Sequence, residues 1–190
     1  MKGTARRDLS NLTNDQSIAE KLYLDEKSQA ENLMITDLVR NDLGRVCDIG
    51  SVQVPSLMNI ESYTTVHQMV STISGKLRSD RDVVDAIVAT FPGGSMTGAP
   101  KLRTMQIIRS LELRPRGVYA GSIGYISMKG TMDMNIVIRT AVLQGRNITI
   151  GAGGAIVALS DPNEEIEEVL LKARAVSKAL GYDVAFPSDT

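Results

Sequence analysis

Tryptophan is absent from this 190-residue chain, and Phe and Tyr together reach only 4%. Surfaces that stack nucleic-acid bases are built from aromatic rings, so this scarcity argues against one. A formal net charge of −1 argues the same way, because a phosphate backbone selects a basic partner. A single cysteine, Cys47, excludes an internal disulfide and fits a reducing compartment, with the cytoplasm as the expected one. A single histidine, His67, with that one distant cysteine, argues against a zinc site of nitrogen and sulfur ligands. No apolar run is long enough to span a membrane, and the basic opening MKGTARRD is not followed by the apolar segment of a secretory signal. The expected partners therefore include neither nucleic acid nor membrane. What remains is ordinary hydrophobic content at a length that supports one domain with a core, read as residues 1–190.

Within that length the stretch Phe91–Lys101, FPGGSMTGAPK, stands out. Its glycines open conformations closed to other residues, and Pro100 pre-sets a helix with Met105, Ile107, Ile108 and Leu111 on its apolar side. Such a loop either presents free N–H groups to an anion, with Ser95 and Thr97 adding hydroxyls, or simply connects and caps. The chain before it reads as mostly helical and the chain after it as mostly strand.

Residues 15–46 read as helix with a break near Asp25, and Leu33, Met34, Ile35, Leu38 and Val39 fall at helical spacing ahead of a Gly44 cap. Glu31 points to the packed side of that helix. Its carboxylate is then paired, protonated or metal-bound, unless it reaches solvent at the edge. Residues 51–66 read as extended, and 82–90 as a short amphipathic helix. A lone histidine such as His67 is more often a structural hydrogen-bonder than a catalyst.

Past Arg116 the period becomes two, predicting an antiparallel meander of three strands turned at Lys129-Gly130 and Gly145-Arg146. The middle strand puts Met132, Met134, Ile136 and Ile138 on one face and Asp133, Asn135, Val137 and Arg139 on the other. Two-residue turns would set Arg139 mid-strand between Ala120 and Ala152, open floor beside a cation. That suits an anionic ligand or a solvated face, and a bulge in either turn would shift the register. Asp161 and Pro162 open a final helix with Ile166, Val169, Leu170 and Ala173 as its expected buried stripe. Glu165 and Glu168 share one side of it. They either bind a cation together or stabilise the helix dipole, with Glu168 pairing Lys172.

Taken in order, AENLMITDLVRNDLGRV (30–46), VHQMVSTISGKLR (66–78), FPGGSMTGAPK (91–101), GSIGYIS (121–127), IVIRTA (136–141), AGGAIV (152–157) and EIEEVLLKARA (165–175) resemble the C-terminal part of the chorismate-utilising enzymes, the family of anthranilate synthase component I and aminodeoxychorismate synthase component I. The resemblance implies an α+β fold, an α/β sandwich with helices packed on antiparallel sheet. It also implies chorismate as substrate and Mg2+ as cofactor. By motif match Glu31, Glu165 and Glu168 resemble the metal-site acids. Arg139, Tyr119 and the backbone at Gly153, Gly154 and Ala155 resemble the substrate-carboxylate pocket. Ser95, Gly3 and Thr4 resemble substrate contacts, and His67 resembles the histidine placed near the ring carboxylate and implicated in catalysis.

Three positions depart from the family pattern: Ala155 where glycine is usual, Leu159 where aspartate is common, and Ser28 where a second glutamate often stands. MKGT resembles the Lys-Gly-Thr motif of the aminodeoxychorismate branch, in which Lys2 would be a nucleophile toward C2 of chorismate; the anthranilate branch has alanine there. The resemblance further implies a glutamine amidotransferase that supplies ammonia. Family members are roughly twice this length, so the chain is expected to lack the N-terminal half of its own domain. Anthranilate synthesis and a non-catalytic remnant that only binds are the competing expectations.

Overall fold

Asp25 ends one helix and begins the next. Its carboxylate accepts the Ser28 N–H, so α1 (Leu12–Leu24) stops where α2 (Glu26–Gly44) starts, at the break expected from sequence. The computed structural model describes residues 1–158 and 160–182. The chain divides into two compact units, Met1–Gln106 and Ile107–Thr190, with the boundary inside a helix. The expected α+β class is borne out, with helices and antiparallel sheet in the chain. Among the described residues no helix is long and apolar enough to cross a membrane.

The first unit is more than helical. β1 (Thr4–Arg6), β2 (Gln53–Ser62) and β3 (Val66–Ser74) form an antiparallel sheet in the order β1-β3-β2. The register sets Thr4 opposite Gln68, and His67 between Ala5 and Ser62. Because successive side chains alternate, His67 and Met69 share one face of β3, while Gln68 lies on the other with Thr4. The first face packs on α2, whose Asn32 amide donates to the Met69 carbonyl (3.2 Å). Met69 is fully buried, and Val46, Cys47 and Ala89 form a small apolar cluster with Leu43 and Val52.

Two details of α2 differ from expectation. Leu33 is exposed, and the buried positions are Asn32, Thr36 and Asp42, because their hydrogen bonds and ion pairs, not only apolar spacing, set the packed face. Gly44 is the last helical residue rather than a left-handed cap, and Arg45 caps in right-handed conformation. α3 (Val83–Thr90) forms as expected, with Asp82 and Asp85 closing a reciprocal capping box. The glycine-rich stretch contains a single turn, α4 (Gly94–Thr97), followed by α5 (Lys101–Leu111). No residue of α5 is buried: of its expected apolar side Met105, Ile107 and Leu111 are exposed and Ile108 is half-buried.

In the second unit the predicted three-strand meander is two hairpins: β4 (Ser122–Ile126) with β5 (Met132–Ile136), and β6 (Ala141–Gln144) with β7 (Asn147–Ile150). The second turn is the two-residue Gly145-Arg146 turn, with Gly145 at φ 61°, and gives the expected register, Ala141 opposite Ile150. The first is a three-residue turn. The Ser127 N–H donates to the Thr131 carbonyl across Met128, Lys129 and Gly130, and Gly130 takes φ 82°. Pairing therefore moves by one residue, and Ser122 faces Ile136.

The middle strand also breaks between Ile136 and Ala141. Arg139 has φ 51°, a left-handed conformation that ends the ladder, so Arg139 is exposed in a kink rather than mid-strand. Val137, assigned to the polar face, is the buried residue (4%), while Met132, Met134, Ile136 and Ile138 are exposed. The final helix, α6 (Pro162–Ala179), starts on Asp161 as predicted, but Ile166 is exposed and Glu165 is buried.

Candidate functional site

The sequence-predicted residues are divided between the units, with Lys2, Gly3, Thr4, Glu31, His67 and Ser95 in the first and Tyr119, Arg139, Gly153, Gly154, Ala155, Glu165 and Glu168 in the second. In the first, Lys2 precedes β1 and its N–H donates to the Met69 carbonyl (3.1 Å). Its ammonium lies 3.4 Å from the Glu31 carboxylate, with both side chains mostly buried, at 18% and 15% exposure. Glu31 is thus paired rather than reaching freely to solvent. Gly3 adopts φ 87°, and a Cβ there would stand 2.8 Å from the Ser28 side chain. A positive φ and a close helix both require glycine, and Ser28 is small enough to allow the approach. Thr4 is on the more open face of the sheet, directly opposite Gln68.

His67 turns to the other face and is 2% exposed. Its Nδ1 is 2.8 Å from the Ser62 hydroxyl and its Nε2 is 2.9 Å from Asp15 of α1. Asp15 also accepts from the Arg7 guanidinium (2.7 Å) and the Asp8 N–H (3.0 Å). Arg7, more than any other neighbour, holds the Asp15 carboxyl at about 2 against the ordinary 3.8, despite burial. Both ring nitrogens of His67 are therefore engaged within the protein, as the structural reading of a lone histidine expects.

Ser95 is half-buried in α4. Its segment is tied at both ends by Lys101, whose ammonium meets the Asp42 carboxylate at 2.5 Å and the Thr90 carbonyl at 3.4 Å. Asp42 is 4% exposed, and Arg45 stands 3.6 Å from its other oxygen. A buried carboxylate between two cations is well compensated, so the RNDLGR and GAPK motifs meet as an ion-pair lock on the loop.

In the second unit, Tyr119 lies against the segment that follows β7. A Cβ at Gly153 would stand 2.6 Å from the Tyr119 hydroxyl, and one at Gly154 would stand 2.9 Å from Glu165 Oε2. Burial raises the Tyr119 phenol above its ordinary pKa, so it remains a neutral donor. The Ser160 hydroxyl donates to Glu165 Oε1 at 2.6 Å. Lys172 joins the cluster from α6: its ammonium bonds both the Gly153 carbonyl (3.2 Å) and Glu168. Ala155 is half-buried in the same segment, and Leu159 lies outside the described residues.

Tyr119, Gly153, Gly154, Glu165 and Glu168 are brought together, whereas Arg139 stands in its kink and, among the described residues, is not hydrogen-bonded to them. Sequence reasoning missed Gln68, Asn32 and Ser160. Period-two alternation would have found Gln68 once Thr4 was paired to β3; the other two depend on contacts that spacing does not reveal.

Carboxylate oxygens are the donors Mg2+ prefers. Among the described residues no three acid, imidazole or thiol groups form a ready metal cluster. The carboxylates nonetheless suit a cation: Glu31 already faces the Lys2 ammonium and Glu168 the Lys172 ammonium, so positive charge is what these positions accept.

A family model described as chorismate binding enzyme matches residues 1–178. The chain is 58% identical over 180 residues to the chloroplastic aminodeoxychorismate synthase of Arabidopsis thaliana, covering 95% of this chain and 20% of that protein. It is 52% identical over 166 residues to anthranilate synthase component 1 of Aquifex aeolicus, covering 87% of this chain and 34% of that protein. The crystal structure of anthranilate synthase component I from Streptococcus pneumoniae superposes with a TM-score of 0.81 at 41% identity, over 86% of this chain and 38% of that one. The chain thus spans about a fifth to a third of the length of these curated relatives.

Proposed function

The chain belongs to the chorismate-binding enzymes, and from that membership we propose that it carries residues that aminate chorismate at C4, as an aminodeoxychorismate synthase does. The observation that carries this reading is the Lys2 amine, held beside Glu31 and mostly buried at the start of a Lys-Gly-Thr motif. A lysine kept for surface charge alone would extend into solvent.

In this proposal the free amine of Lys2 attacks C2 of chorismate. Both double bonds of the ring diene shift, the C4 hydroxyl leaves as water with the proton that the Lys2 nitrogen sheds, and an adduct remains on Lys2. Ammonia then attacks C4, both double bonds shift back, and the Lys2 amine is expelled, taking up the proton that the new C4 nitrogen sheds. Thr4 and Gln68 offer hydrogen bonds from the more open face of the sheet, and Ser95 offers a hydroxyl from the locked loop. Tyr119 and the Gly153–Ala155 backbone provide donors for a substrate carboxylate, with Arg139 as its cation. Glu31 in the first unit, and Glu165 and Glu168 in the second, are the carboxylates that by family resemblance would hold Mg2+, whose charge would ease loss of the C4 hydroxyl. His67 contributes by fixing β3 through Asp15.

A glutamine amidotransferase would supply the ammonia, and the product would serve folate synthesis. The rest of the pocket would come from polypeptide beyond these 190 residues, since the chain spans only part of its relatives' length. A reducing compartment such as the cytoplasm fits Cys47, whose thiol is buried and pushed up in pKa by that burial.

Anthranilate synthesis is the second reading, favoured by the 52% identity to a component 1 relative. The two differ in where nitrogen lands. A full-length enzyme carrying this chain, given chorismate, Mg2+ and 15N-ammonia, should yield a product labelled at C4 by NMR. Label on the anthranilate ring carbon derived from C2 would select the second reading.

A further inference from the structure

One peptide carbonyl, that of Met69, accepts two hydrogen bonds from different elements. The Lys2 N–H reaches it at 3.1 Å and the Asn32 side-chain amide at 3.2 Å. We propose that Asn32 is a positioning residue that holds the Lys2 amine against Glu31. Lys2 lies beyond the three paired residues of β1, where a strand end would ordinarily fray. Glu31 is the residue before Asn32 on α2. Anchoring Asn32 to the Met69 carbonyl fixes the helix position from which Glu31 meets Lys2 at 3.4 Å.

The anchor is itself well held. Asn32 is 3% exposed, and its Oδ1 accepts from the Ser71 hydroxyl, also on β3. Met69, at 0% exposure, also donates its N–H to the Gly3 carbonyl at 3.1 Å. Strand end, helix and central strand therefore converge on the backbone of one buried residue. An asparagine that only satisfied the core would stabilise the unit without controlling Lys2. The two roles differ in what happens to the Lys2 amine when the bond to Met69 is lost.

The consequence for catalysis rests on the reading of Lys2 as nucleophile; the positioning does not, and the two fail separately. The test is trace acetylation of the 190-residue chain with acetic anhydride, read by peptide mass spectrometry. Lys2 labelling is measured relative to Lys76, whose side chain is 81% exposed, and Lys101 reports on a distant buried pair. Asn32→Leu keeps volume and removes the donor; Asn32→Asp keeps the acceptor for Ser71 and removes the donor. Both should raise Lys2 labelling roughly two- to tenfold, the range set by loss of one net hydrogen bond, with Lys101 unchanged. Ser71→Ala retains the donor and should leave Lys2 labelling close to the wild type. Unchanged Lys2 labelling in both Asn32 variants overturns the proposal. So does a rise in Lys2 and Lys101 together, which would mean general loosening, or a Ser71→Ala rise as large as that of Asn32→Asp. Absence of any chorismate adduct in the full-length enzyme would remove the nucleophile reading and leave this result intact.

Discussion

Asp15 accepts from Arg7, the Asp8 N–H and His67, and its carboxyl stays charged down to a pH of about 2. A carboxyl depressed in the folded state adds stability above its unfolded pKa and loses it as pH falls through the folded one. This contribution should be complete above the ordinary value of 3.8 and disappear toward a pH of about 2. Urea unfolding from acid to neutral pH should therefore show a steep acid slope that Asp15→Asn flattens, with lower stability at neutral pH. Equal slopes in the two proteins would remove Asp15 from the account. The neighbouring residues on β3 part in role. Gln68→Ala should weaken chorismate binding by the full-length enzyme roughly two- to tenfold with little change in melting temperature, as loss of one ligand hydrogen bond does. His67→Gln should lower the melting temperature first. The reverse pattern would return His67 to contact with substrate. Sequence marked His67 by its rarity and family position, but the partners that occupy it, Asp15 and Ser62, were not identifiable because burial of its ring depends on strand register.

At the scale of elements, local rules were legible and long-range ones were not. Asp161 caps its helix as predicted, and Asp25 and Asp82 cap at the expected break and helix start, because a cap needs only the next few backbone N–H groups. The Gly145-Arg146 turn fixes its hairpin register for the same reason. The turn at Met128–Gly130 has one residue more than expected, and that single residue moves the pairing of β4 with β5. Nothing local to IVIRTA announced that Arg139 would take φ 51° and divide a strand in two. The buried face of α2 was misread for a related reason: Asn32 is inside because of a carbonyl 37 positions away, while apolar Leu33 is outside. Met69→Ala should accordingly cost about 2–5 kcal/mol in equilibrium unfolding, the range for a buried side chain cut to a methyl. Leu33→Ala at the exposed position should cost less than about 0.5 kcal/mol. Similar losses at the two sites would mean α2 packs by its apolar spacing after all.

For the whole molecule, the family was legible because seven motifs occur in order, and the structure shows why motifs distant in sequence belong together within a unit. AENLM and MKGT meet through Met69, RNDLGR and GAPK through Asp42, and AGGAIV and EIEE through Gly154 and Glu165. The Glu168–Lys172 pair follows helical spacing, whereas the motifs did not convey the partners of the other two acids, Lys2 for Glu31 and Ser160 for Glu165. The central claim is that Lys2 forms a bond to substrate. Its most direct test is intact-mass analysis of the full-length enzyme after incubation with chorismate and Mg2+ in the absence of ammonia. The account predicts a covalent adduct with the mass of chorismate less water, mapped to Lys2, lost on adding ammonia and absent from Lys2→Ala. No adduct on Lys2, with anthranilate formed once ammonia is present, would contradict it.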